Sequence, residues 1–216
     1  FLIMLLASAT SMADTCVVSS ASGLEDAVTK AVQDGGCKTN SSEYRERYEK
    51  YRGTSTDFHV IRIDYSGELI ATLPCLAGYD GDPLIIYVGD KDEVILTGGD
   101  ICIDGGGGPV ILDNLRFKTD EIKVSSSQNA ILNSSVAGGS IVINGDSNHL
   151  VLTKIEASTG NGLEIYGNDN EVQSSTFTKN AKYGVYISGY KNQIKNSKVL
   201  DNGAGGVYVK TCADEA

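Results

Sequence analysis

Residues 184–210 read GVYISGYKNQIKNSKVLDNGAGGVYVK, and within them Val185-Tyr186-Ile187 returns as Val207-Tyr208-Val209 after 22 residues, each time behind a glycine. Working upstream, the same sentence can be read four times: NAILNSSVAGGSIVINGDS from 129, NHLVLTKIEASTGNGLEIYGND from 148, NEVQSSTFTKNAKYGVYISGYK from 170 and NQIKNSKVLDNGAGGVYVK from 192. Each line opens on an asparagine (Asn129, Asn148, Asn170, Asn192), at intervals of 19, 22 and 22 residues. Two residues later comes an aliphatic (Ile131, Leu150, Val172, Ile194), five later a hydroxyl (Ser134, Thr153, Ser175, Ser197) and seven later another apolar residue (Val136, Ile155, Phe177, Val199). A variable polar stretch then leads to a closing triplet: IVI at 141, LEI at 163, VYI at 185 and VYV at 207. VILDNLRF from 110, followed by IKV at 122, fits the frame with Leu115 in the hydroxyl slot, and ICI at 101 closes a less regular earlier turn.

Short alternating runs between Gly and Asn turns, with no 3.6-residue periodicity, are strand signals. Three such strands in a period near 22 make one rung of a solenoid, whose rungs stack at about 4.8 Å so that equivalent residues form columns. The aliphatic series belongs inside, and the Ser/Thr series at an inner corner. The asparagines are expected in one outward column, in left-handed turn conformations, each amide bonding to the next rung. The variable segments 137–140, 156–162, 178–184 and 200–206 are expected at one corner.

The N-x-[ILV]-x-x-[ST]-x-[IVF] line with its closing G-[IVL]-x-[IV] strand resembles the right-handed parallel β-helix, or pectin lyase-like, superfamily, over roughly residues 58 to 210 and most strongly over 109–210. That resemblance implies an all-β right-handed parallel β-helix solenoid. It also implies an N-terminal capping α-helix, matched by SGLEDAVTKAVQDGG at 22–36, where Leu24, Ala27, Val28, Ala31 and Val32 share one face. Ser22 is its expected N-cap and Gly35 its stop. In the polar insertion that follows, Tyr44, Tyr48 and Tyr51 fall at helical spacing, with Glu43/Arg47 and Glu46/Lys50 as i,i+4 pairs, predicting a short helix that lays a tyrosine face on the barrel.

The chain has 216 residues and a formal charge of −10, which argues against nucleic acid and anionic membranes as partners, since phosphate binding needs a basic footprint. FLIMLLASATSMA at 1–13 reads as an export signal ending in Ser11-Met12-Ala13, and no segment is long and apolar enough for a membrane span. Five cysteines in an exported chain read as disulfides. Cys16 and Cys37 bracket the first helix and Cys75 and Cys102 lie in the first turns, with connectivity open and Cys212 left over. The expected organisation is a signal peptide at 1–13, a cap helix and insertion at 14–57, and a β-helix at 58–216. The β-helix is expected to be incomplete at its C-terminal end, and the protein to be a monomer once a covering cap is present. The expected location is secreted, periplasmic or cell-surface.

In enzymes of the superfamily a groove runs along one strand face. The resemblance maps it onto the middle residues of the closing triplets: Cys102, Lys123, Val142, Glu164, Tyr186 and Tyr208, with Tyr166 beside them. Aromatic rings next to a carboxylate and an ammonium suit a glycan or polysaccharide. The catalytic motifs of the superfamily's hydrolases and epimerases are missing: Arg62-Ile63-Asp64 replaces Arg-Ile-Lys, and Asp82-Pro83 runs into Leu84-Ile85. The nearest approach to a calcium-dependent lyase is Asp100 and Asp104 flanking one triplet, with Lys123 one rung above. No cofactor is otherwise indicated; Ca would enter only with a lyase. Two classes follow: a non-catalytic glycan-binding or display protein, and a polysaccharide lyase or hydrolase acting on uronate-type polymers.

Overall fold

A computed structural model describes residues 15–89, 93–104 and 106–210. The leader at 1–13, Cys212, Asp90 and Asp92 lie outside the described residues. Within them the chain coils as a solenoid of three parallel sheets. Eight parallel strands from Cys16–Val18 to Gln193–Lys195 form the first sheet, to which Lys38–Thr39 adds an antiparallel edge. The second runs from Gly67–Ile70 to Lys198–Leu200, and the third from Ile101–Ile103 to Gly205–Val209. Each turn visits the three in order, and residues 22 apart are paired, as Val172 with Ile194 and Phe177 with Val199.

The columns read from the sequence are the core. Ile131, Leu150 and Val172 line the first sheet's inner face, Val136, Ile155 and Phe177 the second's, and Ile122, Ile141 and Leu163 the third's, all buried. The helix α1 (Ala21–Asp34) puts Leu24, Ala27, Val28 and Ala31 into the same cluster, closing one end of the coil. Its N-cap is Ser20 rather than the expected Ser22: Ser20 is extended and its Oγ accepts the Gly23 N–H at 3.1 Å, while Ser22 is already inside the first turn. Gly35, left-handed at φ 64°, ends the helix as expected. Disulfides join Cys16 to Cys37 and Cys75 to Cys102.

The asparagines differ from expectation in two ways. They form one column, but Asn129, Asn148 and Asn170 are buried rather than outward, and the left-handed conformation belongs to the residue before each: Gln128, Ser147, Asp169 and Lys191. That residue turns the chain, and the asparagine then points inward where backbone N–H groups of the previous rung lack partners. Oδ1 of Asn129, Asn148, Asn170 and Asn192 accepts the N–H of Val110, Asn129, Asn148 and Asn170 respectively, at 2.8 to 2.9 Å. The other two corners repeat the device. Asn133, Leu152, Ser174 and Asn196 are left-handed before Ser134, Thr153, Ser175 and Ser197, and Ala157, Lys179 and Asp201 before Ser158, Asn180 and Asn202. The Ser/Thr column accepts from the rung below (Thr153 N–H to Ser175 Oγ, 3.1 Å), and so does the third column (Asn180 N–H to Asn202 Oδ1, 3.0 Å).

The glycines before the triplets at 163 and 185 are a packing requirement of the third corner. A Cβ on Gly162 would sit 2.5 Å from Asn180 Nδ2, and one on Gly184 would sit 2.2 Å from Val199 Cγ1 and 2.6 Å from Asn202 Nδ2.

The insertion packs as the tyrosine spacing predicts. Helix α2 (Ser42–Arg47) and the turn after it lay Tyr44 and Tyr48 on the outer face of the first sheet, against Val60, Ile85, Ile111, Ala130 and Leu132, as a second apolar cluster. This explains why Leu84–Val88 is buried on both faces. The strap is pinned by charge. Asp113, 2% exposed, accepts from Arg47 Nη2, Tyr48 Oη and Asn133 Nδ2 at 2.8 to 2.9 Å, and Lys50 reaches Glu171 at 3.0 Å. Arg47 and Lys50 thus serve the barrel, beyond the intrahelical spacing by which the sequence placed them.

Candidate functional site

The third sheet's outer column holds the residues expected there. Cys102 is in register with Lys123, Lys123 with Val142, Val142 with Glu164, Glu164 with Tyr186, and Tyr186 with Tyr208. Alternation puts their neighbours, such as Ile165 and Ile187, in the core. The lower end of the column is tied off by the Cys75–Cys102 bond.

At the upper end the tyrosines make a connected cluster. The rings of Tyr186 and Tyr208 stack at 5.4 Å between centroids, 14° from parallel. Tyr166 leans on Tyr186 at 5.8 Å and Tyr183 on Tyr208 at 5.0 Å, both tilted. The central rings therefore cover faces of one another. Tyr166, 45% exposed, and Tyr190, 65% exposed at the next corner, are the more open rings.

Glu164 is held as a fixed acceptor. Its Oε2 takes the Tyr166 hydroxyl at 2.5 Å and its Oε1 the Asn161 Nδ2 at 3.0 Å, so both oxygens are oriented and each keeps a lone pair. The hydrogen bond to Glu164, with burial second, pushes the Tyr166 phenol up to about 12. Tyr166 is thus a hydrogen-bond donor at neutral pH and a poor base.

Lys123 is exposed and separated from Glu164 by the Val142 rung, roughly 10 Å of sheet, so the two do not form a single constellation. Asp100 spends Oδ1 on the Glu121 N–H at 2.9 Å, and Asp104 is exposed at the far end of its strand. Among the described residues no group of three or more His, Cys, Asp or Glu side chains is gathered to hold a metal ion. No helix among them is long and apolar enough to cross a membrane.

The sequence reading missed Asn161, Tyr183 and Tyr190. Asn161 sits in a variable corner segment, where the repeat gives no guide. Tyr183 precedes the triplet by two positions, in register with Gly205, and lies against the ring of Tyr208 one rung above. The spacing Asp146, Asn168, Tyr190 was available as a signal: their main-chain and side-chain groups form a further ladder, Asn168 N–H to Asp146 Oδ1 at 2.6 Å and Tyr190 N–H to Asn168 Oδ1 at 2.9 Å.

Residues 139–214 match the family described as right handed beta helix region. No curated protein and no solved structure matches. The matched segment contains the regular turns, and below it the first sheet continues to Cys16, the second to Gly67 and the third to Ile101. The protein is a right-handed parallel β-helix.

Proposed function

We propose that this is an exported, non-catalytic β-helix that binds a glycan along the upper half of the third sheet, with Tyr166, Tyr186, Tyr208 and Glu164 as the contact surface. The observation that carries the reading is the fixed Glu164 carboxylate beside a continuous run of tyrosines. A sugar's hydroxyls donate to the oriented carboxylate and to phenol oxygens, while its apolar face covers the more open Tyr166 ring. Lys123, two rungs below Glu164, meets only a ligand long enough to follow the column. Export is supported by the two disulfides, which persist in oxidising compartments.

Screening the protein on a glycan array, then repeating any positive with Tyr186→Ala/Tyr208→Ala and with Tyr166→Phe, tests the site. Binding lost in the double variant at unchanged far-UV CD supports it. Tyr166→Phe releases Glu164 from its hydroxyl and should weaken binding several-fold. Absence of binding to every glycan, or binding indifferent to all three tyrosines, ends the proposal. Incubation with uronate polymers, with and without calcium, covers the enzymatic alternative: release of unsaturated product would replace the binding role with a lyase.

A further inference from the structure

The second sheet's outer face carries a pattern that the tyrosine face does not share. Its register aligns Arg116 with Ser135, Ser135 with Lys154, Lys154 with Thr176 and Thr176 with Lys198. Cation and hydroxyl thus alternate over five successive rungs. All three cations are exposed. Lys118 lies on the same face in the adjoining column, and exposed Lys179 and Lys182 flank the corner above Thr178. In a chain of formal charge −10 this is a local reversal of sign.

Stability alone does not call for hydroxyls between the cations. Like charges directly opposite are unfavourable, but an acidic residue in the intervening rung would relieve that and add attraction, whereas Ser135 and Thr176 leave the column positive. Glu93 pairs with Arg116, both well exposed, and half-buried Glu156 with exposed Lys154 at 2.8 Å. Such surface pairs contribute little and yield to a competing anion. Lys118, Lys179, Lys182 and Lys198 have no ion pair among the described residues.

We propose that the outer face of the second sheet binds a linear polyanionic glycan laid along the solenoid axis, its acidic groups meeting Arg116, Lys154 and Lys198 and its hydroxyls meeting Ser135 and Thr176. The cations recur every second rung, about 10 Å at the usual strand spacing, so the polymer that fits carries its charge at a similar interval. A nucleic acid is a poor fit, because each strand of a duplex presents a phosphate about every 3.4 Å of helix axis and needs a denser footprint.

The test is binding at low and moderate salt to immobilised hyaluronan, which carries a carboxylate on every second sugar, beside polygalacturonate, charged on every sugar, and single-stranded DNA. Salt-sensitive binding that prefers hyaluronan is expected, about tenfold weaker in Lys154→Gln/Lys198→Gln. It should be unchanged in the charge-matched Lys30→Gln/Lys191→Gln and in Tyr186→Ala/Tyr208→Ala, with thermal unfolding confirming that each variant is folded. The last arm separates this face from the tyrosine face, so either proposal can fail alone. No binding to either glycan at low salt, equal loss in the charge-matched control, or preference for single-stranded DNA overturns it.

Discussion

Asn148 holds Asn129 at two points, accepting its backbone N–H at 2.8 Å and its side-chain Nδ2 at 2.9 Å through the same Oδ1. Both residues are buried, so no water replaces the acceptor if it is lost. Asn148→Ala should therefore leave the Asn129 N–H unsatisfied and lower stability by about 1–3 kcal/mol, read from the urea midpoint. Asn148→Asp keeps an oxygen acceptor but loses the amide that donates to Ser126 O, and should be destabilising at neutral pH through its buried charge.

Gly184→Ala places a methyl where Val199 and Asn202 already stand. Overpacking of a closed corner is expected to lower stability by roughly 1–3 kcal/mol. Gly160→Ala, at the same corner about one turn earlier but with nothing within 4 Å of its Cβ, is the control and should leave the melting temperature within a degree or so of wild type.

The strap over the first sheet should loosen in acid. Hydrogen bonding to Lys50 holds the Glu171 carboxyl below its ordinary 4.5, with Lys195 adding to the effect. Burial holds His149 below its ordinary 6.5, with Lys50 acting in the same direction and Glu171 against it. Both groups have folded-state affinities for protons lower than in the unfolded chain, so both contributions are complete above those ordinary values. The His149 contribution starts to fade as pH falls below about 6.5, and that of Glu171 below about 4.5, each being fully lost once pH passes the lowered folded value. Hydrogen exchange of residues 44–51 should accelerate over that window, and His149→Gln should remove its upper part. Exchange that ignores pH between 7 and 4, after correction for intrinsic rate, would contradict this account.

The repeat made most of the architecture legible, because each rung restates which residues face in, and columns of Ile131, Leu150 and Val172 leave no other register for the first sheet. Burial of the asparagines was harder to read. A sequence shows Asn at a turn but not which of two adjacent residues, Gln128 or Asn129, takes the left-handed angle. The tyrosine helix was legible from spacing, yet its destination was not, since Asp113 and Glu171 lie 66 and 121 residues from the Arg47 and Lys50 that meet them. For the candidate site the sequence supplied the column but not the ring orientations, which depend on how Tyr183 crosses above Gly205. The alternation on the second sheet was present in the sequence and became visible only once register put Arg116, Lys154 and Lys198 in one column.

Because the strap covers the outer face of the first sheet from Val60 to Leu132, those rungs are sandwiched between two apolar layers, while the rungs from Val172 upward have one. A stack in which each rung touches only its neighbours has no global core to equalise such differences. The protein is thus a rod of graded stiffness, with its most tightly clamped section next to α1. Its proposed sugar-facing tyrosines lie on the section held by a single layer, where local opening is least costly and a bound polymer would add the most rigidity.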